Sequence, residues 1–321
     1  SNYKVPRKSE QIKTFIKRNL TRKMADRQYM AINILEAPLL AFILGYISKY
    51  SENGVYTFAD NKNYPVFLFM SVIVALFIGL TVSAEEIFRD RKILEREKFL
   101  NLSRFSYLIS KINFLFALSA LQSLLFIVVA SLILQVRGMM LQQWIILFST
   151  ACFGNLLGLN ISAGMRSAVS IYILIPLILV PHLLLGGAMI KFDELHRSMS
   201  RKIYVPLVGD IMVTRWAYEA ISVEQFRSNK FEKPFFWYDM EISQNEWYAS
   251  FLLPTLKSKI NEALIDGKKP DLTNYTVRNL KKIRYHINDL SSITGIKAGE
   301  WINKMTYDDF NEFTAGEAQS F

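Results

Sequence analysis

Apolar residues in this 321-residue chain are gathered into long runs rather than spread at a strand or helix period. The runs cover residues 29–48, 64–84, 112–136, 141–163 and 168–190. Each holds roughly 20 residues with few or no charges, enough to cross a hydrocarbon core of about 30 Å at about 1.5 Å rise per residue. Core helices of soluble proteins seldom run so long without a polar face. The pattern predicts an all-α polytopic membrane protein, a helical transmembrane bundle with five spans at about those limits.

The flanking segments read differently. In the leader, residues 1–28, Ile12, Phe15, Ile16 and Leu20 share one helical face while Lys13, Lys17 and Arg18 lie elsewhere. That predicts an amphipathic helix along the membrane surface, its apolar stripe toward the lipid or the bundle. Beyond the fifth run, residues 191–321 are mixed and water-compatible. Leu280, Ile283, Ile287 and Leu290 recur there at spacings of three to four, and Pro234, Pro254, Gly267 and Pro270 break the pattern around them. A large, mainly helical external region is expected.

Charge orients the bundle. Nine basic residues lie in the leader and seven in the loop 85–111, against Lys49 and Lys62 in the loop after the first run and Arg137 in the loop after the third. Basic residues concentrate on cytoplasmic loops, so the N-terminus is expected in the cytoplasm of an inner (cytoplasmic) membrane protein and everything after residue 191 outside it. The net charge of +10 is then a topological record: residues 1–190 hold 20 basic and 10 acidic side chains, residues 191–321 hold 18 of each.

Composition removes other classes. A hydrophobic share of 51% excludes a disordered chain, and the lone Cys152 excludes a disulfide scaffold. His182, His196 and His286 are far apart, so no metal site is expected, and no nucleophile has a local base, so no catalytic residue is assigned. The basic leader abuts a span without a nucleic-acid module, so no nucleic acid is expected as partner; membrane lipid is.

The stretch 85–111, EEIFRDRKILEREKFLNLSRFSYLISK, mixes both charge signs with apolar residues, and Glu85 with Arg89 and Arg91 with Glu95 stand four apart. By composition alone, a solvated charged hairpin is the commoner explanation. Its residues Glu86, Ile87, Arg91, Ile93, Arg96 and Glu97, followed by Ser103, Tyr107, Ser110 and Lys111, resemble the coupling helix and following span of ABC exporter permeases of the G-subfamily, or white/brown type, in a bacterial-looking version. Asp90 stands where that family usually has Glu. The leader, with Arg18, Arg22 and Asp26-Arg27, is similar to the family's connecting helix. The segment PLILVPHLLLGGAMIKFDEL resembles its closing segment, and Arg215, Trp216, Glu219 and Ala220 resemble its external R-W-x-x-E-A element.

The resemblance implies a permease that pairs as a homodimer or heterodimer and is coupled to nucleotide-binding domains that carry ATP and Mg. This chain would bind neither, for it has no G-x-x-x-x-G-K-[ST] loop. It further implies that the coupling helix, 85–104, and the leader meet that domain through Glu86, Arg89, Arg91, Glu95, Arg96, Glu97, Arg18 and Arg22, and that Leu183, Leu184 and Leu185 form an apolar plug. The family has six spans, and the sixth is missing here. A piece of a longer polypeptide is expected, with the ATPase before Ser1 and the sixth helix after Phe321.

Four further residues are assigned to the substrate path on their own chemistry. Glu36 is ionisable inside the first run and should face the bundle, water or a cation. Phe69 and Phe77 lie roughly 80° apart around one helix and would border one cavity. Asn160 is a polar residue in the fourth run, near Gly154, Gly158 and Gly164, which suit close helix packing. The expected activity is ATP-driven export of an amphipathic or lipid-like substrate by alternating access. The rival is a membrane-anchored receptor, scaffold or assembly factor acting through its external domain.

Overall fold

The computed structural model describes residues 7–51, 56–96, 103–190, 195–196, 206–266, 273–306 and 309–320, and no strand occurs among them. The chain divides into two units, Ser1–Pro234 and Phe235–Phe321.

The first unit starts with α1 (Lys8–Ala25), whose first turn is closed by the Arg7 amide donating to Glu10 Oε2 at 3.1 Å. Asp26 ends it and caps α2 (Arg27–Ser48), its carboxylate accepting from the Tyr29 amide at 3.0 Å. There follow α3 (Tyr64–Ser83), α4 (Glu86–Arg96), α5 (Arg104–Leu134), α6 (Met140–Gly164) and α7 (Ala168–Leu184). Four stretches, Arg27–Ser48, Tyr64–Arg96, Arg104–Leu134 and Met140–Gly164, are long and apolar enough to cross a membrane, and the apolar α7 has 17 residues. The fifth run was read as continuing to residue 190, but its helix stops at Leu184, where Leu185 forms the cap.

The bundle is built around α3 and α6. Glycine lets them approach closely: a Cβ added to Gly79 would stand 2.2 Å from the Ala151 carbonyl oxygen, and one on Gly154 2.6 Å from that of Leu76. Gly158 meets α3 as tightly, whereas Gly164 faces open space. The remaining helices are joined by polar side chains inside the apolar runs. Gln122 on α5 donates to the Asn33 carbonyl of α2 at 2.8 Å, and Asn155 on α6 donates to Ser119 Oγ of α5 at 2.8 Å. In hydrocarbon such groups are costly unless they find one another across helices.

At the end of the bundle away from α4, α8 (Leu207–Ile211) and α9 (Val213–Ser228) complete the unit. Gln225 of α9 accepts from Tyr64 Oη at 3.1 Å, and Gln143 of α6 donates to the same Tyr64 oxygen at 2.9 Å. Thr214 Oγ1 donates to the His182 carbonyl at 2.9 Å. Residues 206–234, part of the stretch expected outside the membrane, therefore pack against this end of the bundle. Ala217 and Ile221 are drawn into the main hydrophobic core with α3 and α6.

The second unit holds α10 (Phe236–Trp247), α11 (Leu253–Asp266), α12 (Thr273–Thr294) and α13 (Glu312–Ser320). Its core is its own: the α12 stripe Leu280, Ile283, Ile287 and Leu290 packs with Leu256, Ile260 and Ala263 of α11 and Ala315 of α13. By contrast, α10 buries none of its side chains.

Candidate functional site

The helix α4 is an 11-residue segment held at its first turn and its middle by the end of α6. Its first amides have no partner within the helix, as at any helix start. Ser162, fully buried on α6, supplies one: its Oγ accepts from the Ile87 and Phe88 amides at 2.9 Å each. In return, Arg91 of α4 donates to the Ala163 and Met165 carbonyls at 3.1 and 2.9 Å, a cation on the negative end of α6. Each helix thus caps the other. Ser162→Ala strips a buried acceptor from two amides and should cost about 1–3 kcal/mol, read as a lower midpoint of thermal unfolding in detergent; an unchanged midpoint would show that water replaces the hydroxyl.

The inner face of α4 carries Glu86 and Asp90, four residues apart and 4% and 5% exposed. Like charges at this spacing repel, and burial adds a desolvation cost, so the pair persists only because cations surround it. Glu86 binds Lys23 of α1 and Lys111 of α5, the latter at 2.7 Å. Asp90 binds Arg22 of α1 and Lys111 at 2.8 Å each, and accepts from Tyr107 Oη at 3.0 Å. Lys111, 2% exposed, also donates to Asn19 Oδ1 at 3.3 Å.

Three cations meet two carboxylates in this cluster, and that imbalance sets the protonation. Burial works to raise both carboxyls, but Lys111 with Lys23 holds Glu86 below its ordinary value, and Lys111 with Arg22 does the same for Asp90. Burial draws Lys23 below its ordinary value, against the pull of Glu86 and with the repulsion of Lys111. The surrounding cations thus favour the ionised form of both carboxyls.

Through this cluster α4 is joined to α1 and α5, and a fourth tie reaches α7, where Tyr172 Oη donates to Glu85, itself paired with Arg89 at 2.5 Å. The buried stripe of α1 is accordingly Gln11, Phe15, Asn19 and Lys23, polar at three of four positions. The apolar stripe read from the sequence contributes only Phe15; Leu20 is 43% exposed. Hydrogen bonds to α5 account for the difference: Gln11 Oε1 accepts from the Ser103 amide at 2.9 Å, and the Lys8 carbonyl from Ser106 Oγ at 3.3 Å.

Of the residues assigned to coupling, Glu86 and Arg22 belong to this cluster and Arg91 to the α6 cap. Arg89, Glu95 and Arg96 are exposed on the other face of α4 with Lys92 and Ile93. Arg18 is exposed on α1, its guanidinium 5.0 Å over the Phe15 ring. Glu97 lies outside the described residues.

A cavity of about 480 Å³ opens between α2, α3, α4 and α7, bordered by Glu36, Phe77, Asn33, Thr81, Arg89 and Tyr172. Glu36 and Phe77 therefore share one space. Phe69 is 1% exposed at the other end of α3, edge-on to Tyr218 at 5.3 Å, and lies 2.5 Å from where a Cβ on Gly186 would stand. Asn160 is exposed on α6 and donates to the Leu156 carbonyl of its own helix at 2.9 Å. Leu183 and Leu185 are half-buried at the end of α7, and Leu184 is 39% exposed.

Asp90, Lys23, Lys111, Asn19 and Ser162 carry this site without having been assigned to it. One signal was available: two acids four apart on a helix facing a membrane span require cations, and Lys111 stands at the start of the next run.

The comparisons agree with this architecture. Residues 10–226 match the model of the ABC-2 type transporter family, a stretch that begins in α1 and ends in α9. No curated protein matches the chain. With its apolar helices and a match over most of its length, the chain is an integral membrane protein, the permease rather than the catalytic part of an ABC transporter, and it belongs to the ABC-2 type transporter family.

Proposed function

We propose that the chain is the permease of an ATP-driven exporter of the G-subfamily type, working as a dimer, with its N-terminus in the cytoplasm of the inner membrane. A nucleotide-binding domain carrying ATP and Mg would press on the exposed face of α4, formed by Arg89, Lys92, Ile93, Glu95 and Arg96, and on α1 through Arg18. The observation that carries this reading is the two-sidedness of α4. Its inner face is bound to α1 and α5, its first turn to α6, and the preceding Glu85 to α7, so a displacement applied outside reaches these helices together. A solvated hairpin would need no such anchoring. The cavity holding Glu36 and Phe77 abuts Glu85 and Arg89, so a shift of α4 would alter its walls directly. Its mixed polar and apolar border suits an amphipathic or lipid-like substrate.

The test is Lys92→Glu with Arg96→Glu in the assembled transporter. Both side chains are exposed, so the fold should survive, with an unmoved unfolding midpoint. ATP hydrolysis coupled to the permease should fall by about tenfold or more, the effect of about 1.4 kcal/mol. Unchanged hydrolysis would overturn the reading.

The independent core of residues 235–321, with the exposed aromatic residues Trp237, Tyr238 and Trp247, favours a second role as receptor or scaffold. In that case the α4 variant would leave function intact and deletion of 235–321 would remove it.

A further inference from the structure

The second unit, residues 235–321, exposes two faces of opposite charge on different helices. Helix α10 carries three acids and no basic residue, and it buries none of its side chains. Asp239 and Glu246 lie about 20° apart around this helix and about 10 Å apart along it. Tyr238 and Ile242 stand on the same face, 68% and 55% exposed. On α12 the sign is reversed. Its inner stripe of Leu280, Ile283, Ile287 and Leu290 is held in the core of the unit, which turns the opposite side outward. Tyr275, Arg278, Lys282 and Tyr285 recur on that outer side at spacings of three and four, with Lys281 beside them, and all five are exposed. No acid occurs in α12 before Asp289.

None of the side chains of Asp239, Glu246, Arg278, Lys281 and Lys282 has an ion pair among the described residues, so within one copy neither face neutralises the other. Scattered exposed charges ordinarily mean no more than solvation. These are sorted by sign onto separate helices, and each set is interleaved with exposed tyrosine, a residue enriched in the cores of protein interfaces. An anionic surface would account for α12 and leave α10 without a partner; a basic protein would do the converse. A second copy of the chain presents both faces at once. Under two-fold symmetry each α10 meets the α12 of the other copy, and the contact is made twice.

We infer that α10 of one copy docks on the outer side of α12 of a second copy, with Asp239 and Glu246 against Arg278, Lys281 and Lys282, and with Tyr238 and Ile242 against Tyr275 and Tyr285. The inference rests on the dimer proposed above only in requiring two copies in one membrane. It adds to that dimer a joint outside the membrane bundle.

The experiment uses the full chain in nanodiscs, with Cys152→Ser as background. One tagged copy carries Ile242→Cys and the other, differently tagged, carries Tyr275→Cys or Tyr285→Cys, the two ends of the basic face. With one of the two combinations, mild oxidation is expected to link the copies at least tenfold faster than Ile242→Cys links to itself. Asp239→Lys with Glu246→Lys in both copies should slow that linkage about tenfold, because like charges then face each other across the contact. Adding Arg278→Glu with Lys282→Glu should restore it to within about threefold. All four side chains lie at the surface, so the unfolding midpoint should not move. Native mass spectrometry in detergent counts the copies independently. A chain that is dimeric by mass but links no faster than Ile242→Cys with itself would overturn this joint and leave the bundle dimer standing, whereas a monomeric chain would overturn both. Linkage indifferent to charge reversal would also overturn the proposal, showing only chance collision of neighbouring copies. A loss that the compensating reversal does not restore would overturn the pairing and give α10 to another partner.

Discussion

Replacing Lys111 with Met should destabilise the permease by about 3–5 kcal/mol, the usual consequence of removing one partner from a buried ionic group. Methionine keeps most of the volume, so the loss is electrostatic. Lys111 touches both carboxylates and is the most buried of the three cations. Without it, Glu86 retains Lys23 and Asp90 retains Arg22, but the two acids face each other across four residues of one helix with no charge between them. The double variant Lys111→Met with Glu86→Gln should recover a large part of the loss, because it removes one buried carboxylate together with its cation. Thermal unfolding in detergent measures both.

The pH dependence distinguishes this from a packing defect. In the native protein both carboxyls are held below their ordinary values of 4.5 and 3.8. Their contribution is therefore complete above about pH 4.5 and is lost only as the pH falls through the still lower folded-state values. In Lys111→Met those values rise, so the acids take up protons earlier and the repulsion is relieved. The deficit against wild type should be smaller at pH 5 than at pH 7.5. A deficit that is the same at both would mean that the side chain acts by packing, and one below about 1 kcal/mol would mean that water already screens the cluster.

The membrane helices were legible because hydrocarbon demands a long unbroken apolar run, and the runs beginning at residues 29, 64 and 141 recur as helices almost to the residue. What lies between the runs was less so. Glu86, Asp90 and Lys111 read as a solvated charged loop because composition does not say which face of a short helix turns inward; that depends on α1 folding back over α5, a contact between residues about 90 apart in sequence. Likewise Phe69 and Phe77 share a helix face closely enough to suggest one cavity. The eight-residue rise of about 12 Å separates them along the axis, and Phe69 ends against Gly186 and Tyr218. The packing of residues 206–228 was not legible either: their mean polarity is that of a surface helix, and only Tyr64, Gln143 and Gln225, far apart in sequence, show by binding one another that α9 is held on the bundle.

The second large effect is expected at the crossing of α3 and α6. Gly79→Val or Gly154→Val should abolish folded protein, and the alanine variants should each cost about 1–3 kcal/mol. Alanine is the better helix former by about 1 kcal/mol, so any net loss measures the clash. At Gly79 the obstacle is the Ala151 carbonyl, 2.2 Å from the added Cβ, and at Gly154 the Leu76 carbonyl at 2.6 Å. Neither is a side chain that can rotate away, so the helices themselves must separate. Such a separation loosens the whole seam on which α9 and α5 also rest. The two alanine substitutions should therefore be less than additive by about 0.5 kcal/mol or more, since one displacement of the helices relieves both clashes. Gly164→Ala provides the control. Nothing lies within 4 Å of its added Cβ, so it should be neutral or slightly stabilising. Strict additivity of Gly79→Ala and Gly154→Ala, or a cost no greater than that of Gly164→Ala, would show that the seam yields locally and that close helix contact there is not what holds the bundle.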